Sequence, residues 1–234
     1  MSVDTKDADA GQLAPTVAAA LAAAAIPPSK LRPARRARLS EAQRELHFWI
    51  LRRFATDGRP GSGSLRAAAE RLGLDPEDAL ATLSREDLVH RGTDGEVTVA
   101  YPFSGRPTAH RVRFATGHEA DAMCAIDALG IAPMFGQRIE VESRDPVSDE
   151  EIRARVAPDG VAEWWPESAV AVVGAIRSQA DACCGCCPVL NFFASPANAE
   201  RWLVEHPEVR GNVISVSEAA AAGRAIFGNV LTLT

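Results

Sequence analysis

The sequence predicts an α+β protein in which an N-terminal winged-helix-like domain of three helices is followed by a mixed-sheet α+β core. Three helical patterns and one hairpin pattern follow one another between residues 40 and 102, which is the order of a winged helix. After residue 102, strand and helix patterns alternate without the regular βαβ rhythm of a doubly wound sheet. The 234 residues, of which 47% are hydrophobic, suffice for one domain of ordinary size and one small domain.

Residues 1–39 form an alanine- and proline-rich N-terminal segment that contains a basic run. A short helix is predicted at 16–26, and Pro27 and Pro28 end it because proline cannot continue a helix. The basic run at 30–38 is typical of a solvated linker, and contact with nucleic acid is the less favoured alternative. We therefore expect residues 1–39 to be a flexible basic segment.

Residues 40–102 carry the signals of the winged-helix-like domain. Each predicted helix begins at a residue that can cap its free backbone N–H groups. These capping signals are Ser40 with Gln43, then Ser64, then Asp75 followed by Pro76. Strand patterns at 88–90 and 97–101, joined by a turn at 93–95, predict the hairpin.

Residues 103–234 are predicted to form the α+β core. A loop is expected over the acidic stretch, and strands are expected at 110–114, 139–141, 169–173, 189–193 and 213–216. A capping box of Thr116 and Glu119 predicts a helix that runs on until Gly130 stops it. Two further helices are expected, from Ser195 and from Ser217.

The charge and hydropathy of the chain exclude several classes of protein. The net charge is -6 and the pI is about 5.4, so no bulk basic surface would attract nucleic acid or membranes. The alanine-rich apolar run at 17–26 is too short to span a bilayer, and we expect no secretory leader. These features predict a cytoplasmic protein.

The five cysteines are the most unusual feature of the composition. Four of them lie within residues 183–187, and Cys124 stands apart. An odd, clustered set does not fit a disulfide framework, so we expect reduced thiols. Thiolates favour soft metal ions, but adjacent cysteines do not easily close one zinc tetrahedron. The strand pattern after Cys187 also disfavours a thioredoxin-like redox centre, which needs a helix there.

Cys124 and Asp127 are three residues apart on a predicted apolar helix, so their side chains share one face. A lone buried cysteine is usually only a small hydrophobic residue. An aspartate in an apolar helix, however, destabilises the fold unless it is paired or used. Burial would also favour its protonated form near neutral pH. The pair is therefore a candidate for proton-transfer chemistry.

Two short motifs resemble the organomercurial (alkylmercury) lyase family. The first is Cys124–Asp127, and the second, about sixty residues later, runs from Cys187 to Ser195, with Trp202 beyond it. The resemblance covers roughly residues 40–230 and includes the order of a winged-helix-like region and an α+β catalytic core. It implies protonolysis of carbon–mercury bonds in an organomercurial substrate, with a hydrocarbon and thiol-bound Hg(II) as products and no required cofactor.

The resemblance assigns the catalytic roles to two cysteines and one aspartate. The first cysteine corresponds to Cys124, and the aspartate, which acts as general acid, corresponds to Asp127. Counted back from the motif at 191–195, the second cysteine corresponds to Cys187, with Cys186 as the alternative one position earlier. External thiols would support turnover, and a mercuric reductase or a low-molecular-weight thiol would accept the Hg(II).

The chain also departs from the family pattern. Met123 stands where a tryptophan often precedes the first cysteine, and residues 142–145 lack the additional cysteine of some members. Three cysteines are left without a catalytic role, and we hypothesise that they form a relay that passes Hg(II) to other thiols. These three are Cys183, Cys184 and Cys186.

Two other functions are consistent with these patterns. A winged-helix transcription regulator could sense soft metals or oxidants through the cysteine cluster. Against it, the third helix begins with Glu77 and Asp78, which would repel DNA phosphates. The second alternative is a relative that binds Hg(II) or copper without cleaving a bond, although Cys124, Asp127 and Cys187 are all retained.

Overall fold

The computed structural model describes residues 18, 32–160, 162–176, 187–228 and 231. Within these residues the chain is a mixed α+β fold with seven helices and eleven strands. Most of the helix predicted at 16–26 lies outside the described residues. The same holds for the hypothesised relay residues Cys183, Cys184 and Cys186, and therefore for Cys186 as the alternative second thiol.

The helices and strands follow one another along the described chain in a mixed order. The helices are α1 (Arg32–Arg36), α2 (Glu41–Thr56), α3 (Ser62–Arg71), α4 (Pro76–Arg85), α5 (Ala125–Phe135), α6 (Pro196–Glu205) and α7 (Val216–Phe227). The strands are β1 (Val89–Arg91), β2 (Val97–Ala100), β3 (Phe103–Ser104), β4 (Arg111–Phe114), β5 (Glu119–Ala122), β6 (Ile139–Arg144), β7 (Glu151–Val156), β8 (Ala162–Trp165), β9 (Val170–Ile176), β10 (Phe192–Phe193) and β11 (Val209–Ser215). Of the helices described, none has the length and apolar character needed to cross a bilayer.

Eight strands form one antiparallel sheet in the order β1-β2-β3-β5-β4-β6-β7-β8, and three form a second sheet in the order β10-β9-β11. Side chains of the large sheet alternate between a buried apolar face and an exposed face of paired charges. On the exposed face, Arg113 donates to Glu119 across β4 and β5 at 2.9 Å, and Arg155 donates to Glu140 across β7 and β6 at 3.3 Å. Helices α5 and α7 contact this sheet and cover part of its buried face.

The predicted starts of α2 and α4 are confirmed. Ser40 and Gln43 form the expected capping box, and Asp75 accepts the N–H of Asp78 at 2.9 Å. Helix α3 instead begins at Ser62, before the predicted cap at Ser64. The Ser64 hydroxyl donates to the carbonyl oxygen of Gly61 at 2.8 Å and so does not cap a free N–H group.

Strands β1 and β2 form the predicted hairpin. The hairpin extends the large sheet, because β2 pairs with β3 and β3 pairs with β5. Phe54 of α2 stacks on Phe103 of β3 with ring centroids 5.6 Å apart, so residues on both sides of position 102 share one apolar core. The winged-helix interpretation of residues 40–102, and the domain boundaries near residues 39 and 102, stay predictions.

The helix predicted from the Thr116 and Glu119 capping box begins in the wrong place. Residues Glu119–Ala122 form strand β5, which pairs with β3 and β4, and the Glu119 carboxylate accepts a hydrogen bond from Arg113 on β4 instead of capping a helix. The helix in this region, α5, begins at Ala125. Cys124 therefore lies at the start of the helix rather than inside it.

The predicted end of this helix at Gly130 is also wrong. Gly130 lies inside α5, where the absence of a Cβ allows Gly223 and Phe227 of α7 to approach closely. The helix ends instead at Phe135, and its C-cap residue is Gly136, whose φ of 64° glycine adopts without strain. Gly130 therefore allows α5 and α7 to pack closely and does not end the helix.

The second half of the chain contains more strand than the sequence patterns predict. Strands β7 and β8 were not predicted, and β9 and β11 extend beyond the predicted residues. The predicted strand at 189–193 is reduced to β10, because Cys187–Val189 form a 3-10 turn. Ser195 caps α6 as predicted, whereas the final helix is capped by Ser215 and Glu218 instead of Ser217.

Asp145, which is buried, ties the loop after β6 to the start of α6. Its carboxylate accepts hydrogen bonds from the Asn198 side chain and from the backbone N–H groups of Ala194 and Val147, all at 2.7 Å. Burial would raise the pKa of Asp145, but these hydrogen bonds outweigh burial and lower it. Asn198 also donates to Ser148 at 3.2 Å, so it closes this loop on both sides.

Candidate active site

Cys124 is the N-cap residue of α5. Its backbone is extended, with φ of -160° and ψ of 176°, and its Sγ accepts the backbone N–H of Asp127 at 3.4 Å. Asp127 is therefore the third residue of the helix, beside the free N–H groups of its first turn. The sequence placed both residues inside a helix. The cap geometry differs from that expectation but keeps their side chains side by side.

Cys187, which lies 60 residues after Asp127 in the sequence, contacts the same carboxylate. The Cys124 Sγ donates to Asp127 Oδ2 at 2.9 Å, and the Cys187 Sγ donates to the same oxygen at 3.5 Å. The three ligand atoms all lie within 4.8 Å of one another. The structure thus brings together the three residues that the sequence singled out, with one carboxylate oxygen between two thiols.

Backbone hydrogen bonds hold residues 187–190, which we call the Cys187 turn, against the start of α5. The Leu190 carbonyl oxygen accepts the N–H of Ala125, the first residue of α5, at 2.8 Å. The N–H of Val172 on β9 donates to the Asn191 carbonyl oxygen at 3.0 Å, and β10 pairs with β9 in the small sheet. The small sheet and the first turn of α5 therefore jointly position the second thiol.

The three side chains are almost completely buried. Cys124 is 1% exposed, and Asp127 and Cys187 are each 5% exposed. Burial in an apolar environment raises the free energy of the ionised form of each group, unless a partner stabilises that charge. The thiol donors and the positive end of the α5 dipole are the compensation available to the Asp127 carboxylate.

The Cys124 thiol holds its proton tightly. Burial raises the pKa of Cys124 to about 12, and the nearby charge of Asp127 acts in the same direction. The thiol is therefore the stable form at neutral pH, and a soft metal ion that binds the sulfur must displace the proton. The Asp127 oxygen at hydrogen-bond distance is positioned to receive that proton.

The donor set is suited to soft ions. Two thiolate sulfurs favour soft metals, and a single carboxylate oxygen is a weak third ligand for them. Among the residues that the structure describes, no other side chain adds a second carboxylate or an imidazole to this group. The arrangement can therefore bind one soft metal centre through two sulfurs while leaving a carboxylate free to move a proton.

Sequence reasoning missed a second, polar layer behind the Cys187 turn. His110 is 3% exposed, and its ring bonds to Ser143 Oγ through Nδ1 at 2.9 Å and to Asn191 Oδ1 through Nε2 at 3.3 Å. Asn191 is part of the second motif, but no sequence pattern predicts a role for its side chain. His118, six residues before Cys124, contacts the carbonyl oxygen of Phe54 at 3.0 Å.

His110 makes the stability of the fold sensitive to acid. Burial lowers the pKa of His110 to about 4 from an ordinary value of 6.5, so the fold favours the neutral ring. Its stabilising contribution is complete above pH 6.5 and is lost as the pH falls through 4. We expect this titration to remove about 3 kcal/mol of unfolding free energy.

The measurement is urea unfolding of the wild type and of His110→Gln at pH 7 and pH 4. The glutamine side chain does not titrate, so the variant should lose less stability on acidification than the wild type. Equal losses in the two proteins would show that His110 does not carry the effect.

The chain is similar to known proteins, mainly over its second half. The family model described as MerB, alkylmercury lyase, matches residues 103–228. The alkylmercury lyase of Staphylococcus epidermidis is 30% identical over 148 residues, which cover 63% of this chain and 65% of that protein. The alkylmercury lyase of Bacillus cereus is 33% identical over 118 residues, which cover 50% of this chain and 53% of that protein.

The fold is also similar to a solved structure described as the mercury-bound form of MerB2. The TM-score is 0.69 at 20% sequence identity, and the match covers 86% of this chain and 97% of that one. The chain spans between about half and two thirds of the length of the curated relatives it matches. The family model nevertheless covers more than half of the chain, including all three clustered residues. The chain belongs to the alkylmercury lyase family.

Proposed function

We propose that this protein is an organomercurial lyase that breaks carbon–mercury bonds by protonolysis with Cys124, Asp127 and Cys187. The observation that carries the proposal is the shared contact of both thiols with Asp127 Oδ2, at 2.9 and 3.5 Å. Such a site can bind mercury through two sulfurs and holds a proton carrier beside them. Family membership and the names of the relatives support the same activity.

The proposed reaction begins with thiol exchange. One thiol binds the mercury of an R–Hg–X substrate, and its proton moves to Asp127 or leaves with the displaced group X. The second thiol then binds the same mercury and gives up its own proton, so that one of the two thiol protons is on Asp127 and the other leaves with X. The two thiolates add electron density to the mercury. The raised pKa of Cys124 suits this order, because its proton is retained until the metal replaces it.

Asp127 then acts as the general acid. It gives its proton to the carbon, and the electron pair of the carbon–mercury bond forms the new carbon–hydrogen bond. The sum is R–Hg–X plus two thiols giving R–H, a bis-thiolate Hg(II) and HX, so mercury stays Hg(II) and no cofactor is needed. The cap geometry of α5 holds the acid and the first thiol at a fixed distance, which supplies the positioning contribution to the rate.

The remaining assignments complete the proposal. Hg(II) would leave the two thiolates for external thiols, with a low-molecular-weight thiol or a mercuric reductase as acceptor. The requirement for two free thiols suits a reducing, cytoplasmic setting. Residues 40–102 would form the winged-helix-like domain beside the catalytic core at 103–234.

The alternative of a transcription regulator is less well supported. Glu77, at the start of α4, is exposed and would repel DNA phosphates, and it accepts a hydrogen bond from Arg91 at 2.7 Å.

The experiment is a turnover assay with phenylmercury in a buffer that contains excess small thiol. We expect the wild type to release one benzene per phenylmercury consumed, measured by gas chromatography. A Cys124→Ser and Cys187→Ser double variant is the control for cleavage by the buffer thiol. A wild type that binds phenylmercury but releases no more benzene than this control would support the non-cleaving relative instead.

A further inference from the structure

We propose that Asn191, held in place by His110, positions the Cys187 thiol opposite Cys124, so that both are positioning residues of the two-thiol site. This inference rests on the proposed function, because it gives the thiol pair its purpose. It adds two residues that never touch the mercury but set the geometry in which the second sulfur reaches it.

Asn191 closes the turn that carries Cys187. Its side-chain Nδ2 donates to the carbonyl oxygen of Pro188 at 3.1 Å, and its backbone N–H donates to the carbonyl oxygen of Val189 at 3.0 Å. Pro188 follows Cys187 directly, so this side-chain bond acts one residue from the thiol. Loss of the Asn191 side chain would leave the 3-10 turn without its lateral support.

The orientation of the Asn191 amide also defines the state of His110. Because Nδ2 donates to a carbonyl oxygen, Oδ1 faces His110 and can only accept a hydrogen bond. His110 must therefore carry its proton on Nε2, and its Nδ1 accepts from the Ser143 hydroxyl. Burial keeps the pKa of His110 near 4, so this neutral arrangement holds throughout the neutral range.

This chain of hydrogen bonds joins the two sheets at the active site. Ser143 lies on β6 of the large sheet, and His110 directly precedes β4 of the same sheet. The Cys187 turn precedes β10 of the small sheet, and its other anchor is the backbone bond from Ala125 to Leu190. Besides the backbone bond between Asn191 and β9, two contacts thus hold the turn: the one with α5, and the one with His110 through the Asn191 side chain. The second contact depends on side chains and can be removed by mutation.

The test compares Asn191→Ala with Asn198→Ala. Each variant removes two side-chain hydrogen bonds in the same half of the chain, but only Asn191 bonds to the Cys187 turn. The first readout is kcat and KM for phenylmercury. The second is retention of one equivalent of HgCl2 against competing glutathione, followed by the ultraviolet absorption of the mercury–thiolate bonds.

We expect Asn191→Ala to lower kcat by roughly 10- to 100-fold with little change in KM, because the first thiol still captures the substrate. Its retention of Hg(II) should fall by a similar factor, because the second sulfur no longer meets the first. Asn198→Ala should keep wild-type values of both, whatever stability it loses. His110→Gln, which retains a donor near Asn191, should keep most of the activity that His110→Leu loses.

The results separate this inference from the proposed function. Retention of Hg(II) does not require cleavage, so a loss of retention in Asn191→Ala alone would support the inference even if the wild type released no benzene. Wild-type kcat and retention in Asn191→Ala would overturn it while leaving the lyase activity in place. Equal losses in Asn191→Ala and Asn198→Ala would also overturn it, because the effect would then follow stability and not position.

Discussion

Asp127→Asn is expected to slow carbon–mercury cleavage by about 10³-fold while leaving Hg(II) binding close to that of the wild type. The amide oxygen can still accept hydrogen bonds from the thiols, but the amide cannot take up a thiol proton and pass it to carbon. The two sulfurs that would hold the metal are unchanged. Binding and bond cleavage should therefore separate in this variant.

The measurement is the single-turnover rate of benzene release from phenylmercury, with Hg(II) retention measured on the same samples. Asp75→Asn is the matched control, because Asp75 caps α4 away from the cluster and asparagine caps a helix equally well. Its rate should equal that of the wild type. An Asp127→Asn rate within tenfold of the wild type would show that the proton reaches carbon by another route.

Gly223→Ala is expected to lower the unfolding free energy by about 2 kcal/mol, because helices α5 and α7 touch backbone to backbone at this point. A Cβ on Gly223 would lie 2.8 Å from the Gly130 nitrogen and 2.9 Å from the Ile126 carbonyl oxygen. These are backbone atoms of α5, so the helices must separate to make room. Separation would also move the Cys124 and Asp127 end of α5, and activity should fall with stability.

The measurement is urea unfolding of Gly223→Ala beside Gly63→Ala. Gly63 lies in α3, and a Cβ there would meet no atom within 4 Å. Alanine in that helix should be neutral or slightly stabilising, since it restricts the unfolded chain. If both variants have the same stability as the wild type, the close approach of α5 and α7 does not support the fold.

Local signals predicted the parts of the fold that local interactions determine. Ser40 and Asp75 cap their helices with their own side chains, and the hairpin of β1 and β2 is closed by a short turn. The same local reasoning failed where a distant element decides the conformation. Glu119 pairs across strands with Arg113, and Gly130 accommodates α7, which lies far along the chain.

The part of the candidate site that lies in short sequence motifs can be predicted from the sequence. Cys124 and Asp127 are three residues apart at the start of α5, and this spacing alone indicates that their side chains are in contact. Cys187 was placed by the motif that follows it. His110 and Asn191 are 81 residues apart, and no periodicity or spacing relates them, so only the folded chain shows their contact.

The most direct test of the proposed reaction is a single turnover in D2O with one equivalent of phenylmercury and no added thiol. The protein is first equilibrated in D2O, so that the exchangeable protons of Cys124, Asp127 and Cys187 are replaced. We predict benzene that carries one deuterium, in one-to-one yield with the protein, and one Hg(II) retained per chain after desalting. Recovery of intact phenylmercury from the protein, with no deuterated benzene, would contradict the proposed protonolysis.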